Sequence, residues 1–308
     1  LPAAAEGRAQ TREVLSDPVT IPQRHGFESK AWPGELQYIV LSYSEQPELL
    51  WITGARLELV GLDGRTPISG EFVRSSCLTL DELLLSAEAH NRLFGNATPP
   101  LPVRGKPSLL CFNQGHLQTA FPQGFAVPVL SHEPLLVKAD TVNQNQGEPV
   151  EVRFKWTVEF SRDRDRRAPF KPLLSRTVWV ADPSRWTVPP GRDVKRFNVT
   201  RQLALPFDTT VHYIRVSLQA FGESLELRDI TTGTTLFTSR ARPFPDRIGL
   251  AHLDAFSSEE GIPLYKDHEY ELVSAYHNTG ATEAPAKAAM RLYLLDKEFQ
   301  PPEAIKGP

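Results

Sequence analysis

Val211-His212-Tyr213-Ile214-Arg215-Val216-Ser217-Leu218-Gln219-Ala220-Phe221-Gly222 is the stretch on which the fold turns. β-Branched and aromatic residues run through it and a glycine ends it, the composition of a strand with a stop. Residues 223–230 read as its hairpin partner. Side chains at i and i+2 of a strand share a face, so such a strand could carry a His-x-His pair that grips one metal ion. Ser217 and Gln219 hold those two positions. A neutral hydroxyl and a neutral amide are poor ligands for copper or zinc, which prefer imidazole and thiolate. The stretch predicts a strand shaped like part of a metal site, without the ligands.

The same pattern repeats on both sides. Strands are predicted over residues 36–41, 51–60, 71–80, 134–142, 150–160 and 177–180, then over 211–218, 224–229, 234–239, 270–276 and 288–294. In residues 150–160, Arg153, Lys155 and Thr157 share one face while Phe154, Trp156 and Val158 share the other, which predicts one wet and one buried face. Leu62-Asp63-Gly64-Arg65 and Thr231-Thr232-Gly233 carry hairpin-turn signals. Leu and Ala at helical spacing predict a short helix or helical loop over residues 80–94. Short strands at regular intervals, separated by turns, predict an all-β chain of antiparallel β-sandwiches. Residues 1–29 are polar with scattered prolines and predict an extended N-terminal arm lying against a partner. The domains expected are that arm, a first sandwich over 30–203, a second over 204–300, and a proline-containing tail over 301–308.

A chain of 308 residues is long enough for two domains, and 40% hydrophobic residues is ordinary globular composition. A formal net charge of -3 argues against a general nucleic-acid binder. The run Ser161-Arg162-Asp163-Arg164-Asp165-Arg166-Arg167 mixes both signs and reads as a solvated loop. No stretch approaches the roughly 18 apolar residues of a membrane span. Met290 is the only methionine, so the start at Leu1 reads as a processed or truncated end. Cys77 and Cys111 form either a disulfide in an oxidising compartment or two unrelated buried thiols, and their Cα separation decides between the two. Asn96-Ala97-Thr98 and Asn198-Val199-Thr200 match the glycosylation pattern. There is no Gly-x-Ser-x-Gly elbow and no Gly-rich phosphate loop. His25, His90, His116, His132, His212, His252, His268 and His277 are scattered, with no two at metal-binding spacing.

The region from Thr187-Val188-Pro189-Pro190-Gly191 to Gly222 resembles the interdomain region of the copper type II, ascorbate-dependent monooxygenases, among them peptidylglycine α-hydroxylating monooxygenase and dopamine β-monooxygenase. Tyr270-Glu271-Leu272-Val273-Ser274-Ala275-Tyr276-His277-Asn278-Thr279, Ala289-Met290-Arg291-Leu292-Tyr293, Phe121-Pro122-Gln123-Gly124-Phe125 and Glu71-Phe72-Val73-Arg74-Ser75-Ser76 extend the resemblance in the expected order. It implies two tandem antiparallel jelly rolls, each carrying one copper, facing each other across a cleft. It also implies ligands at Ser75, Ser76 and near Asp140 in the first domain, and at Ser217, Gln219 and Met290 in the second. Of these only Met290 retains a ligating side chain, and a thioether alone does not hold copper.

These readings converge on an exported, non-enzymatic structural or interaction subunit with no cofactor. It is expected to sit in a periplasm or on a cell surface and to bind other protein subunits, docked on a membrane-associated assembly of respiratory or photosynthetic type. The alternatives are a copper-dependent oxidoreductase with rearranged ligands, and a glycan-binding double jelly roll that presents Trp32 or Trp186 in a groove.

Overall fold

The structure, a computed structural model, describes residues 9–22, 30–31, 37–43, 47–80, 108–133, 135–145, 147–166, 168–180 and 186–301. It is almost entirely β, built as two antiparallel jelly-roll sandwiches, as the strand spacing predicts. The helix expected over 80–94 lies, past Leu80, outside the described residues, and so does Trp32.

One sheet joins both sandwiches. Its strands run in the order Gln10–Leu15, Val150–Arg162, Leu49–Val60, Phe125–Leu130, Lys171–Trp179, Ala288–Leu295, Thr209–Leu218 and Phe256–Leu264. The join is a short parallel ladder in which Phe125 faces Lys171 and Ala126 faces Pro172. The first sandwich is closed by a sheet ordered Lys30–Ala31, Leu135–Thr141, Val73–Leu80 and Ser108–Phe112, with Gln37–Ile39 also on Leu135–Thr141. The second is closed by Gly191–Asn198, Tyr270–Asn278, Gly222–Asp229, Thr234–Pro243 and Leu250–Leu253.

Period-two patterning explains the layers. Phe154, Trp156 and Val158 turn inward, as their alternation predicts, and join Ile21, Leu50 and Phe112 in the first core. Val216, Leu227, Tyr276, Met290 and Leu292 fill the second. The two cores divide inside Lys171–Trp179, where Leu173 belongs to the first and Val178 to the second. Tyr213 and Tyr293 stand on strands of the second sandwich but pack into the first core.

The described part of the expected arm pairs within its own chain, Gln10–Leu15 and Val19–Ile21 both lying antiparallel to Val150–Arg162. One expectation is corrected. Residues 211–222 and 223–230 do not form a hairpin. Thr209–Leu218 pairs with Ala288–Leu295 and Phe256–Leu264, whereas Gly222–Asp229 pairs with Tyr270–Asn278 and Thr234–Pro243. Between them the chain turns a corner from one sheet to the other. Phe221 takes a left-handed φ of 70°, and a Cβ on Gly222 would come within 3.0 Å of Leu218 Cβ. A tight corner and a hairpin turn both call for glycine, so local composition does not separate them.

Candidate functional site

The seam between the sandwiches holds a set of packed polar and aromatic side chains. In the antiparallel ladder between Thr209–Leu218 and Ala288–Leu295, Tyr213 faces Tyr293, Arg215 faces Arg291 and Ser217 faces Ala289. Residues opposite each other in a ladder share a face, and this face looks at the first sandwich. Val216 and Met290 are also opposite each other, but on the other face, inside the second core.

The Ser108–Phe112 strand and the turn after it cover the seam face. Arg215 is buried and donates to Asn113 Oδ1 at 2.9 Å and to the His116 carbonyl at 3.3 Å, with its guanidinium 5.3 Å from the Phe112 ring centroid. Its Nη1 is buried with no hydrogen-bond partner. Burial pulls its pKa down to about 10. Arg291 donates to the Ser108 carbonyl and to Cys111 Sγ. Tyr293 donates to the Leu109 carbonyl at 2.9 Å. Tyr213 Oη lies 3.1 Å from His116 Nε2. Phe121 packs edge-on against both tyrosine rings. Burial, then the Arg215 charge, holds His116 well below the ordinary histidine pKa.

A second set of contacts locks the far end of the seam. The loop before Leu250–Leu253 places Arg247 against buried Glu71, with Nη1 2.9 Å from Oε2. Asn145 both donates to the Ile248 carbonyl and accepts from its N–H. Gln114 reaches from the Glu71 carbonyl to the Leu250 N–H. Between these two ends lies a cavity of about 30 Å³ bordered by Arg74, Gln114, Gln144, Leu218 and Gln219. A wider groove of about 390 Å³ lies outside the first sandwich near Leu57, Arg65 and Lys155. There Glu58 is paired with Arg56 and Lys155 with Glu13.

The positions at which the sequence suggests lost copper ligands split into two groups. Ser75, Asp140, Ser217 and Gln219 reach the seam region. Ser75 Oγ donates to Asp140 Oδ2 at 3.1 Å, and Gln219, with its amide turned to satisfy both neighbours, accepts from Arg74 and donates to the Pro285 carbonyl. Ser76 alternates away from Ser75, is buried and donates to the Lys138 carbonyl. Met290 is fully buried on the face opposite Ser217 and cannot meet Gln219.

The histidines do not gather. His212 stacks on Phe125, and His252, His268 and His277 sit beside Asp254, Asp229 and Glu223 respectively. His132 is exposed, and His25 and His90 lie outside the described residues. Among the described residues, no group of three or more His, Cys, Asp or Glu is placed to hold a metal. Trp186 is buried against Tyr276, so it lines no groove. Cys77 and Cys111 stand opposite each other in the Val73–Leu80/Ser108–Phe112 ladder and are disulfide-bonded, with Cα atoms 4.0 Å apart.

Sequence reasoning passed over Arg74, Arg215, Lys287 and Arg291. The one available signal was Arg215: it stands two residues before Ser217, on the same face of a strand otherwise fit for a core.

No family model and no curated protein matches this chain. Similar solved structures include a quasi-atomic model of the PBCV-1 virus capsid, at 8% identity, covering 97% of each chain with a TM-score of 0.36. The major capsid protein P2 from bacteriophage PM2 is similar at 9% identity over 94% of this chain and 99% of that one, with a TM-score of 0.34. A structure of PNGF-II is similar at 10% identity over 96% of this chain and 66% of its own, with a TM-score of 0.39. Scores this low say nothing about what this chain does. The resemblance to copper monooxygenases is corrected here: no family or curated match points to those enzymes, none of the similar structures named above is one of them, and Met290 lies on the wrong face to complete their second site.

Proposed function

We propose that this chain is a non-enzymatic structural subunit that works by assembling with other protein subunits. One observation carries the reading: the seam, where a two-sandwich enzyme would keep an open cleft, is packed with Tyr213, Arg215, Arg291 and Tyr293. The cavity left there, about 30 Å³, is far below the roughly 300–1,000 Å³ of sites for drug-sized ligands.

The surface adds support. Gly191–Asn198 ends its sheet, leaving one edge unpaired among the described strands, and exposes Val194 and Phe197. Unpaired edges with apolar side chains are templates for pairing with another chain. The Cys77–Cys111 disulfide supports an exported location, since such bonds persist in oxidising compartments. Among the described residues no helix is long and apolar enough to cross a membrane. Docking on a membrane-associated assembly enters this proposal as contact with a protein partner.

The test is the size and composition of the species obtained from the native source by sizing chromatography with light scattering, before and after membrane extraction. A defined complex that falls apart in a Val194→Asp/Phe197→Asp variant of unchanged circular dichroism supports the reading. A monomer at every concentration, with nothing bound, overturns it.

A further inference from the structure

We propose that the chain forms a two-fold dimer in which Gly191–Asn198 pairs antiparallel with the same strand of a second copy. This rests on the assembly role proposed above and names the partner.

Gly191–Asn198 ends its sheet and, among the described strands, has one neighbour, Tyr270–Asn278. No residue of it belongs to either core. Val194 is 60% exposed, and Arg192, Arg196, Phe197 and Asn198 are exposed with it. A strand open along its length in this way offers its outer edge to another chain.

The order Gly191-Arg192-Asp193-Val194-Lys195-Arg196-Phe197 fits a second copy of itself. Residues opposite each other in a ladder share a face, so in a two-fold antiparallel pair one residue stands opposite itself on the axis. With Val194 on the axis, Asp193 of each copy faces Lys195 of the other, and Gly191 faces Phe197. Centring on Arg192, Asp193, Lys195 or Arg196 instead sets two like charges directly opposite, which destabilises a ladder. Centring on Phe197 pairs only Arg196, Phe197 and Asn198 of the strand. Val194 is the one centre that joins most of the strand without that cost.

The surroundings of the strand suit this register. Asp193 is half-buried, and its Oδ2 meets no hydrogen-bond donor among the described residues. A lysine brought opposite compensates that acid. Lys195 lies on the same face, its ammonium 5.4 Å from the Trp186 ring centroid. A Cβ on Gly191 would meet nothing within 4 Å, which leaves open space for the Phe197 ring of the copy. An aromatic ring across from an edge glycine is a stabilising pair. The register also sets Arg192 opposite Arg196, but each has its own acid: Arg192 Nη2 is 3.7 Å from Glu223 and Arg196 Nη1 is 3.0 Å from Glu271.

The test is sedimentation equilibrium of the purified full chain at low ionic strength, with Asp193→Lys, Lys195→Asp and Val194→Lys variants checked by circular dichroism. A wild-type dimer is expected. Each variant alone should dissociate about tenfold or more easily, because each sets like charges opposite each other on both sides of the axis or on it. Mixing Asp193→Lys with Lys195→Asp restores opposite charges at both positions and should restore dimers. A wild-type chain that stays monomeric overturns the proposal. So does a dimer that the variants leave intact, or one that the mixture fails to restore. If a charge reversal impairs folding, Val194→Lys decides, since Val194 lies outside the core. A chain that is monomeric when pure but enters a larger complex from its native source overturns this dimer and leaves the assembly role standing.

Discussion

Two side chains in the seam make stability depend on pH in the same direction. Lys287 has its pKa lowered from 10.5 to about 8 by burial first and the neighbouring guanidinium groups next. Between those values the unfolded chain binds the proton and the folded chain does not, so stability rises with pH through this window and is lost as pH falls through about 8. At about 1.4 kcal/mol per unit the penalty at neutral pH is on the order of 3 kcal/mol. Lys287→Met is therefore expected to raise stability at pH 7 by about 1–3 kcal/mol and to flatten the rise between pH 8 and 10 in urea titrations. An unchanged pH profile would show that Lys287 is not the group responsible. His116 is also held below its ordinary pKa, so the unfolded state takes up a proton first as pH drops below about 6.5. Urea midpoints should fall between pH 7 and 5, and His116→Gln should reduce that fall. At this scale the sequence was only half readable. Ser217 and Gln219 could be assigned to one face of one strand, but nothing local shows that Arg215 on that face is buried by a strand 100 positions earlier.

At the scale of elements, a strand's identity was legible and its partner was not. Alternation in Val150–Arg162 shows in the side chains themselves, and the Asp63-Gly64 turn is visible in a glycine with φ of 70° and a carboxylate that accepts from Arg65 and Thr66. The corner at Phe221 read as a hairpin, because pairing is settled by contacts far away in sequence. Two cross-links now carry testable weight. The disulfide closes a segment with a sequence separation of 34, for which loop-closure entropy gives roughly 4 kcal/mol. Reduction should lower the unfolding free energy by about that amount, and a denaturation curve indifferent to reductant would contradict the bond's contribution. Asn145 makes two hydrogen bonds to Ile248, so Asn145→Ala should cost about 1–3 kcal/mol, read from the same curves.

For the whole molecule, the sandwich class was legible from strand spacing and turn signals, whereas the single sheet that runs through both halves was not. A two-residue parallel join leaves no local trace. Because Tyr213 and Tyr293 belong to the first core while their strands build the second, the two halves should unfold together. Calorimetric and van't Hoff enthalpies should then agree, and two separated transitions would show that the seam does not couple them. The position of Ala288–Leu295, seated between Lys171–Trp179 and Thr209–Leu218, has a consequence for manufacture. A ribosome delivers the strands on both sides of that slot long before the strand that fills it. A nascent chain halted short of Ala288 carries two open edges facing a gap, the state most prone to capture by other growing chains. An inner strand of the finished sheet is made after both of its neighbours, and a chaperone that shields that gap during translation would act where this fold is open.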